Sequence, residues 1–118
     1  MHSYYPHPID WLVILLVSGV PDAVDRESVR YLLENRLAEH NRISILLQFD
    51  PPATSAMTWS QTLFDEHTLS GIERVALVID AEEGIISDLE RDLLPVAVRR
   101  FGFSEREIAL AWIQGGKA

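Results

Sequence analysis

The sequence contains no cysteine and a single lysine, Lys117. Without cysteine the chain can form neither a disulfide framework nor a thiolate site for metal binding or catalysis. This composition suits a reducing compartment, so we expect a cytoplasmic protein. The chain has only 6 glycines, and they are dispersed. None of them therefore builds a glycine-rich loop of the kind that cradles a phosphate.

The chain has few positively charged residues. The chain carries 10 Lys and Arg against 18 Asp and Glu, which gives a net charge of −8. A protein of this charge repels phosphate backbones on average, so we expect no nucleic acid among its partners. The adjacent pair Arg99-Arg100 is the local exception, and we interpret it as the exposed part of an edge strand, where charge is common.

Long hydrophobic runs are missing as well. The longest fully apolar run, Trp11–Val17, is far shorter than the roughly 20 residues that a membrane-spanning helix needs. It also has neither a basic region before it nor a small-residue cleavage site after it, so it does not resemble a signal peptide. The run predicts a buried strand.

What the chain does contain is a regular alternation of strand and helix patterns. Apolar, β-rich runs predict strands over 9–18, 43–49, 73–80 and 96–101, and helical spacing predicts helices over 23–40, 57–68, 85–94 and from Ser104 onward. This alternation predicts an α/β fold, a single domain with a four- or five-stranded, largely parallel sheet and helices on both faces. We place the domain at 9–114, after an irregular lead-in or short edge strand over 1–8 and before a frayed tail over 115–118.

The first and last helices have recognisable starts and apolar stripes. Asp22 or Asp25 is available as the N-cap of the first helix, and Ser104 with Glu107 forms a capping-box pattern at the start of the last one. The side chains expected to be buried in the two helices are Val24, Val29, Leu32, Leu33 and Leu37, then Ile108, Ala109, Trp112 and Ile113.

Two aspartates, Asp50 and Asp80, close successive predicted strands. Because ligands of such sheets gather beyond the carboxyl ends of the strands, their carboxylates could form an acidic pocket or serve a hydrolase. We favour turn capping, the common role of aspartate at a strand end. No histidine pair has metal-ligand spacing and no serine has a nucleophile-elbow context, so we expect no metal, no cofactor and no enzymatic activity.

Small hydroxyl side chains gather where the second predicted strand leads into a helix. Thr54 and Ser55 stand there, followed by Thr58 and Ser60. A phosphate at this place would meet the free amides and the positive end of the helix dipole. Helix capping and turn formation explain the same residues, and we favour that interpretation.

Large apolar side chains follow at helical spacing. Met57, Trp59, Leu63 and Phe64 share one stripe. Their side chains could line a nonpolar pocket or touch a membrane surface. Packing of this stripe on the sheet is the simpler interpretation.

Four segments of the chain share their pattern with a known family: Arg42-Ile43-Ser44-Ile45-Leu46-Leu47, Ile72-Glu73-Arg74-Val75-Ala76-Leu77-Val78, Val98-Arg99-Arg100-Phe101 and Glu107-Ile108-Ala109-Leu110-Ala111-Trp112-Ile113. They resemble the SpoIIAA-like family, a branch related to STAS domains, and the resemblance covers most of residues 12–114. The last is similar to the family's closing helix with its Ala-x-x-Trp-Leu step.

The resemblance implies two functions. STAS domains such as anti-sigma-factor antagonists bind protein partners and are switched by phosphorylation of a serine. Ser55 stands at the matching position and is the candidate phospho-acceptor, although Ala53 and Ala56 replace the acid and the glycine of that motif. The SpoIIAA-like branch is also similar to lipid carriers of the CRAL-TRIO type, whose two middle helices, here 57–68 and 85–94, would move to open a pocket.

We therefore expect a non-enzymatic domain that binds a small nonpolar ligand or lipid, at a membrane surface or in solution, or a regulatory protein partner. The candidate ligand face is Met57, Trp59, Leu63 and Phe64. The alternative is an antagonist module switched at Ser55, and an uncharacterised hydrolase comes third. The sequence leaves a homodimer open.

Overall fold

A computed structural model describes residues 2–5, 11–17, 22–49, 70–79 and 96–115, with the backbone alone for 2–5. In these ranges the chain forms β1 (His2–Tyr5), β2 (Leu12–Val17), α1 (Ala23–Glu39), β3 (Ile43–Phe49), β4 (Ile72–Val78), β5 (Ala97–Phe101), a 3₁₀ turn (Phe103–Glu105) and α2 (Arg106–Gly115). The strands lie where the apolar runs predict them, with ends shifted by a few residues at most. Neither α1 nor α2 is long and apolar enough to cross a membrane.

The strands form one sheet in the order β1-β2-β3-β4-β5. β1 runs antiparallel to β2, and β2 to β5 are mutually parallel. This arrangement confirms the predicted parallel sheet and places β5, with Arg99 and Arg100 exposed, at one edge. All four parallel strands begin at one side of the sheet and end at the other, which we call the amino edge and the carboxyl edge.

Both faces of the sheet are buried, because alternate residues of a strand point to opposite faces. On one face Val29 and Leu33 of α1 pack on side chains that include Leu15, Leu47 and Leu77. On the other face α2 contributes Ala109 and Ile113, which pack on Leu12, Ile14, Leu46, Ala76, Val78 and Phe101. Helices on both faces are therefore confirmed, and they explain why β2 is apolar throughout and β3 is apolar except at Ser44 and Gln48, instead of alternating.

α1 begins with reciprocal hydrogen bonds. The Asp25 amide donates to the Asp22 carboxylate (2.7 Å), and the Asp22 amide donates to the Asp25 carboxylate (3.1 Å). This confirms Asp22 as the N-cap. The prediction that Val24 is buried is wrong, because its side chain is 69% exposed. Val24 stands nine residues before the buried Leu33, which at 100° per residue is the opposite side of the helix.

The predicted start of the last helix is also wrong. The 3₁₀ turn occupies the first turn, and the Gly102 amide donates to the Glu105 carboxylate (2.9 Å), so this pair takes the place of Ser104 and Glu107. Ile108, expected to be buried, is 57% exposed. Ile113 is fully buried and stands five residues later, so the two side chains diverge by about 140° around the helix.

Candidate functional site

The residues predicted to carry function lie outside the part of the chain that the structure describes. These are Ser55, Met57, Trp59, Leu63 and Phe64, together with Asp50 and Asp80. The structure does describe the two strand ends that directly precede Asp50 and Asp80. Phe49 directly precedes Asp50, and Ile79 directly precedes Asp80, at the carboxyl edge of the neighbouring strands β3 and β4.

Two rows of apolar side chains lie at the carboxyl edge, on the face that α1 shares. The registers align the first row across β2, β3 and β4, and the second row follows it toward the edge. Every member belongs to the same core cluster and is at most 3% exposed. We call these six residues the apolar floor: Leu15, Leu47 and Leu77, then Val17, Phe49 and Ile79.

The chemistry open to the apolar floor is limited. None of its six side chains carries a donor, an acceptor or a charge, so the floor can neither transfer a proton nor hold an ion. It can exclude water and make dispersion contacts with hydrocarbon, at about 0.8 kcal/mol per buried methylene. Such a surface suits core packing or a nonpolar ligand, and it does not suit hydrolysis.

Arginines and aromatic rings meet on the opposite face, at the end of α2. The Arg74 guanidinium carbon lies 4.8 Å from the centre of the Trp112 ring, and Arg74 Nη1 donates to the Trp112 carbonyl oxygen (2.9 Å). Phe101 packs against Trp112 with ring centres 5.9 Å apart, and the Arg99 guanidinium lies 5.3 Å from the Phe101 ring. We call these four residues the arginine–aromatic cluster.

The arginine–aromatic cluster holds α2 against the sheet. Trp112 belongs to the last turn of α2, whose carbonyl groups have no partner within the helix. A cation at this end also interacts favourably with the helix dipole. Three of the four segments that resemble the SpoIIAA-like family contribute residues to this cluster.

A buried hydroxyl lies next to this cluster. Ser44 on β3 is paired with Arg74 on β4 and is fully buried, and its Oγ makes no hydrogen bond. Within the described ranges, no three His, Cys, Asp or Glu side chains come together in a group that could hold a metal ion.

Two clefts open at the amino edge. The first has a volume of about 380 Å³ and is lined by Glu34, Leu37, Ala38, Asn41, Ser70 and Gly71. The second has a volume of about 500 Å³ and is lined by Trp11, Glu39, His40, Asn41 and Arg42. Sequence reasoning missed both clefts. The run of three polar residues from His40 to Arg42, between a helix and a buried strand, was the available signal.

A comparison with curated proteins and a comparison with solved structures each found no match. The family model of the SpoIIAA-like proteins does match, over residues 12–114. This range runs from the first residue of β2 almost to the end of α2, and its parallel sheet with flanking helices is the architecture of a STAS-type module. The suspected resemblance is thereby confirmed: the chain belongs to the SpoIIAA-like family.

Proposed function

We propose that this SpoIIAA-like domain is a binding module without catalytic activity, and that it holds a small nonpolar ligand such as a fatty acid at the carboxyl edge. The observation that carries the proposal is the apolar floor, whose six side chains contain no polar group at the place where residues 50–68 begin. Met57, Trp59, Leu63 and Phe64 of that segment would supply the opposite wall.

The dimensions of the floor suit a hydrocarbon chain. It crosses three strands, which at about 4.8 Å between neighbours makes it about 10 Å wide. A medium-length acyl chain lying across it would bury several methylene groups, each worth about 0.8 kcal/mol. Because the floor has no partner for a charge, the carboxylate of a fatty acid would have to remain near solvent.

The two faces of the sheet provide an internal control for a binding experiment. We would label the methyl groups of the full chain with ¹³C and titrate it with laurate below its micelle concentration. The methyl signals of Leu47, Leu77 and Ile79 are expected to shift saturably, because they belong to the floor. Those of Ala109 and Ile113, on the face covered by α2, are expected to stay in place. Equal shifts on both faces, or none on the floor, would refute the proposal.

A pair of substitutions tests the opposite wall. Leu63→Asn places an amide in the candidate ligand face and is expected to weaken laurate binding about tenfold or more, since an unpaired polar group opposes burial of hydrocarbon. Val24→Asn makes the same kind of change on the exposed side of α1 and is expected to leave binding unchanged. Native mass spectrometry of the purified protein would show whether it carries a lipid already. If the two variants bind laurate equally well, the stripe that contains Leu63 is not part of the proposed site.

A further inference from the structure

We propose that the second cleft of the amino edge binds a small organic anion, a carboxylate or phosphate group attached to a planar ring. The residues that would hold it are His40, Asn41 and Arg42, with Trp11 as a wall. This site is separate from the apolar floor, since it lies at the opposite ends of the strands. It needs no part of the segment 50–68.

Three side chains that line the cleft, those of His40, Asn41 and Arg42, have polar groups without a hydrogen-bond partner among the described residues. His40 Nε2 makes no hydrogen bond and is enclosed by the protein, so a ligand in the cleft contacts it only when the imidazole turns toward the cleft. The Arg42 guanidinium is exposed at the cleft, and neither it nor the Asn41 amide makes a hydrogen bond or an ion pair with a described residue. This is unusual in a chain with 18 acidic residues and only 10 basic ones. An oxyanion is the group that accepts from a guanidinium, an amide and an imidazole together.

Two features of the cleft oppose an anion. It lies at the C-terminus of α1, where the helix dipole favours cations, and Glu39 contributes a carboxylate to the lining. The Glu39 carboxylate already has a cation beside it, because the Arg36 guanidinium lies 3.7 Å away. The field of a helix end is weaker than a direct charge-assisted hydrogen bond from a guanidinium. The balance therefore favours an anion that contacts Arg42 directly.

Trp11 determines which class of anion the cleft would prefer. Its side chain is half-buried, packs against the α2 face and lines the cleft. A hydrogen bond holds the backbone at Trp11 beside β3, since the Ser44 amide donates to the Trp11 carbonyl oxygen (2.9 Å). A planar ring on the ligand can stack on an indole, whereas a bare inorganic ion cannot. We therefore expect aromatic anions to bind more tightly than inorganic ones.

The test is an NMR titration of the ¹⁵N-labelled full chain with phenyl phosphate, benzoate and inorganic phosphate, at constant ionic strength set by sodium chloride. The indole signal of Trp11 and the side-chain signals of Asn41 and Arg42 are expected to shift together and to saturate. Phenyl phosphate or benzoate should bind several-fold more tightly than inorganic phosphate. The tighter of the two aromatic ligands identifies phosphate or carboxylate as the preferred group.

Matched substitutions separate a site from a general effect of charge. Arg42→Gln is expected to weaken binding about tenfold, and Arg26→Gln, the same change at the other end of α1, should leave it unchanged. His40→Gln offers a second variant and should also weaken binding. Shifts that sodium chloride alone reproduces, or equal weakening by Arg42→Gln and Arg26→Gln, would overturn the proposal. Binding of laurate to the floor is measured separately, so either proposal can fail without the other.

Discussion

Replacement of Arg74 tests whether the arginine–aromatic cluster stabilises the packing of α2 against the sheet. Arg74→Met keeps most of the apolar stem and removes the guanidinium, so it deletes both the hydrogen bond to the Trp112 carbonyl oxygen and the cation–π contact. Arg74 is half-buried, so we take the lower end of the range for a charge-assisted hydrogen bond, about 1.5 kcal/mol. The cation–π contact adds about 0.5 kcal/mol at such a site.

The expected loss in free energy of unfolding is therefore about 2 kcal/mol, which for a domain of this size lowers Tm by roughly 6–10 °C. Urea unfolding followed by far-UV circular dichroism measures the loss. Arg99→Met is the matched control. Arg99 is exposed, and its guanidinium contacts only the Phe101 ring among the described residues, so its replacement should cost about 0.5 kcal/mol or less.

A double-mutant cycle divides the Arg74 effect into its two parts. Trp112→Leu removes the ring and leaves the backbone carbonyl in place, so the coupling energy between Arg74→Met and Trp112→Leu reports the cation–π contact. We expect a coupling of about 0.5 kcal/mol, with most of the Arg74 effect persisting in the Trp112→Leu background. If Arg74→Met costs no more than Arg99→Met, the guanidinium does not fasten the helix and our reasoning is refuted.

Three further substitutions and one control probe the described scaffold, each measured as a urea unfolding midpoint. Gly71→Ala should cost about 1 kcal/mol, because its new methyl group would overlap the terminal Cδ2 of Leu37, a partly exposed side chain that can turn away, while Gly115→Ala, which has open space around it, should be neutral or slightly stabilising. Asp22→Ala should cost about 1 kcal/mol by removing the cap of α1, and an unchanged midpoint would contradict the observed hydrogen bonds. Ser44→Ala should be neutral or stabilising by up to about 1 kcal/mol, since it removes a buried hydroxyl without a partner. A clear loss of stability there would show that the hydroxyl is bonded.

Much of the fold could be predicted from the order of patterns along the chain. The apolar run of β3 is long enough for a strand and too short for a helix, so its type and even its bounds followed from composition. Asp22 was one of the two recognisable candidates for the cap because its carboxylate acts on an amide only three residues away. The errors at Val24 and Ile108 have a different cause, since a stripe drawn with loose helical spacing is wider than the side of the helix that the sheet covers.

The two candidate sites differ in how much of each could be predicted from the local sequence pattern. The stripe from Met57 to Phe64 is regular enough to be noticed, and its role stays a prediction because it lies outside the described residues. The amino-edge cleft could not be predicted in the same way. Trp11 and Arg42 are about thirty residues apart in sequence and become neighbours because β2 and β3 pair in parallel. The pairing of two distant strands does not appear in the hydrophobic periodicity of the sequence.

The sequence by itself determined the order of β2, α1, β3, β4, β5 and α2 along the chain, limited the N-cap of α1 to Asp22 or Asp25, and indicated that both faces of the sheet would be covered. Each of these depends on side chains a few positions apart, and local periodicity records such relations. Only the tertiary structure decided the strand order, the apolar floor, the contact of Arg74 with Trp112 and the cleft beside His40. Each of these joins residues that are distant along the chain. Their contacts depend on register and packing between elements, which the periodicity of a single element does not encode.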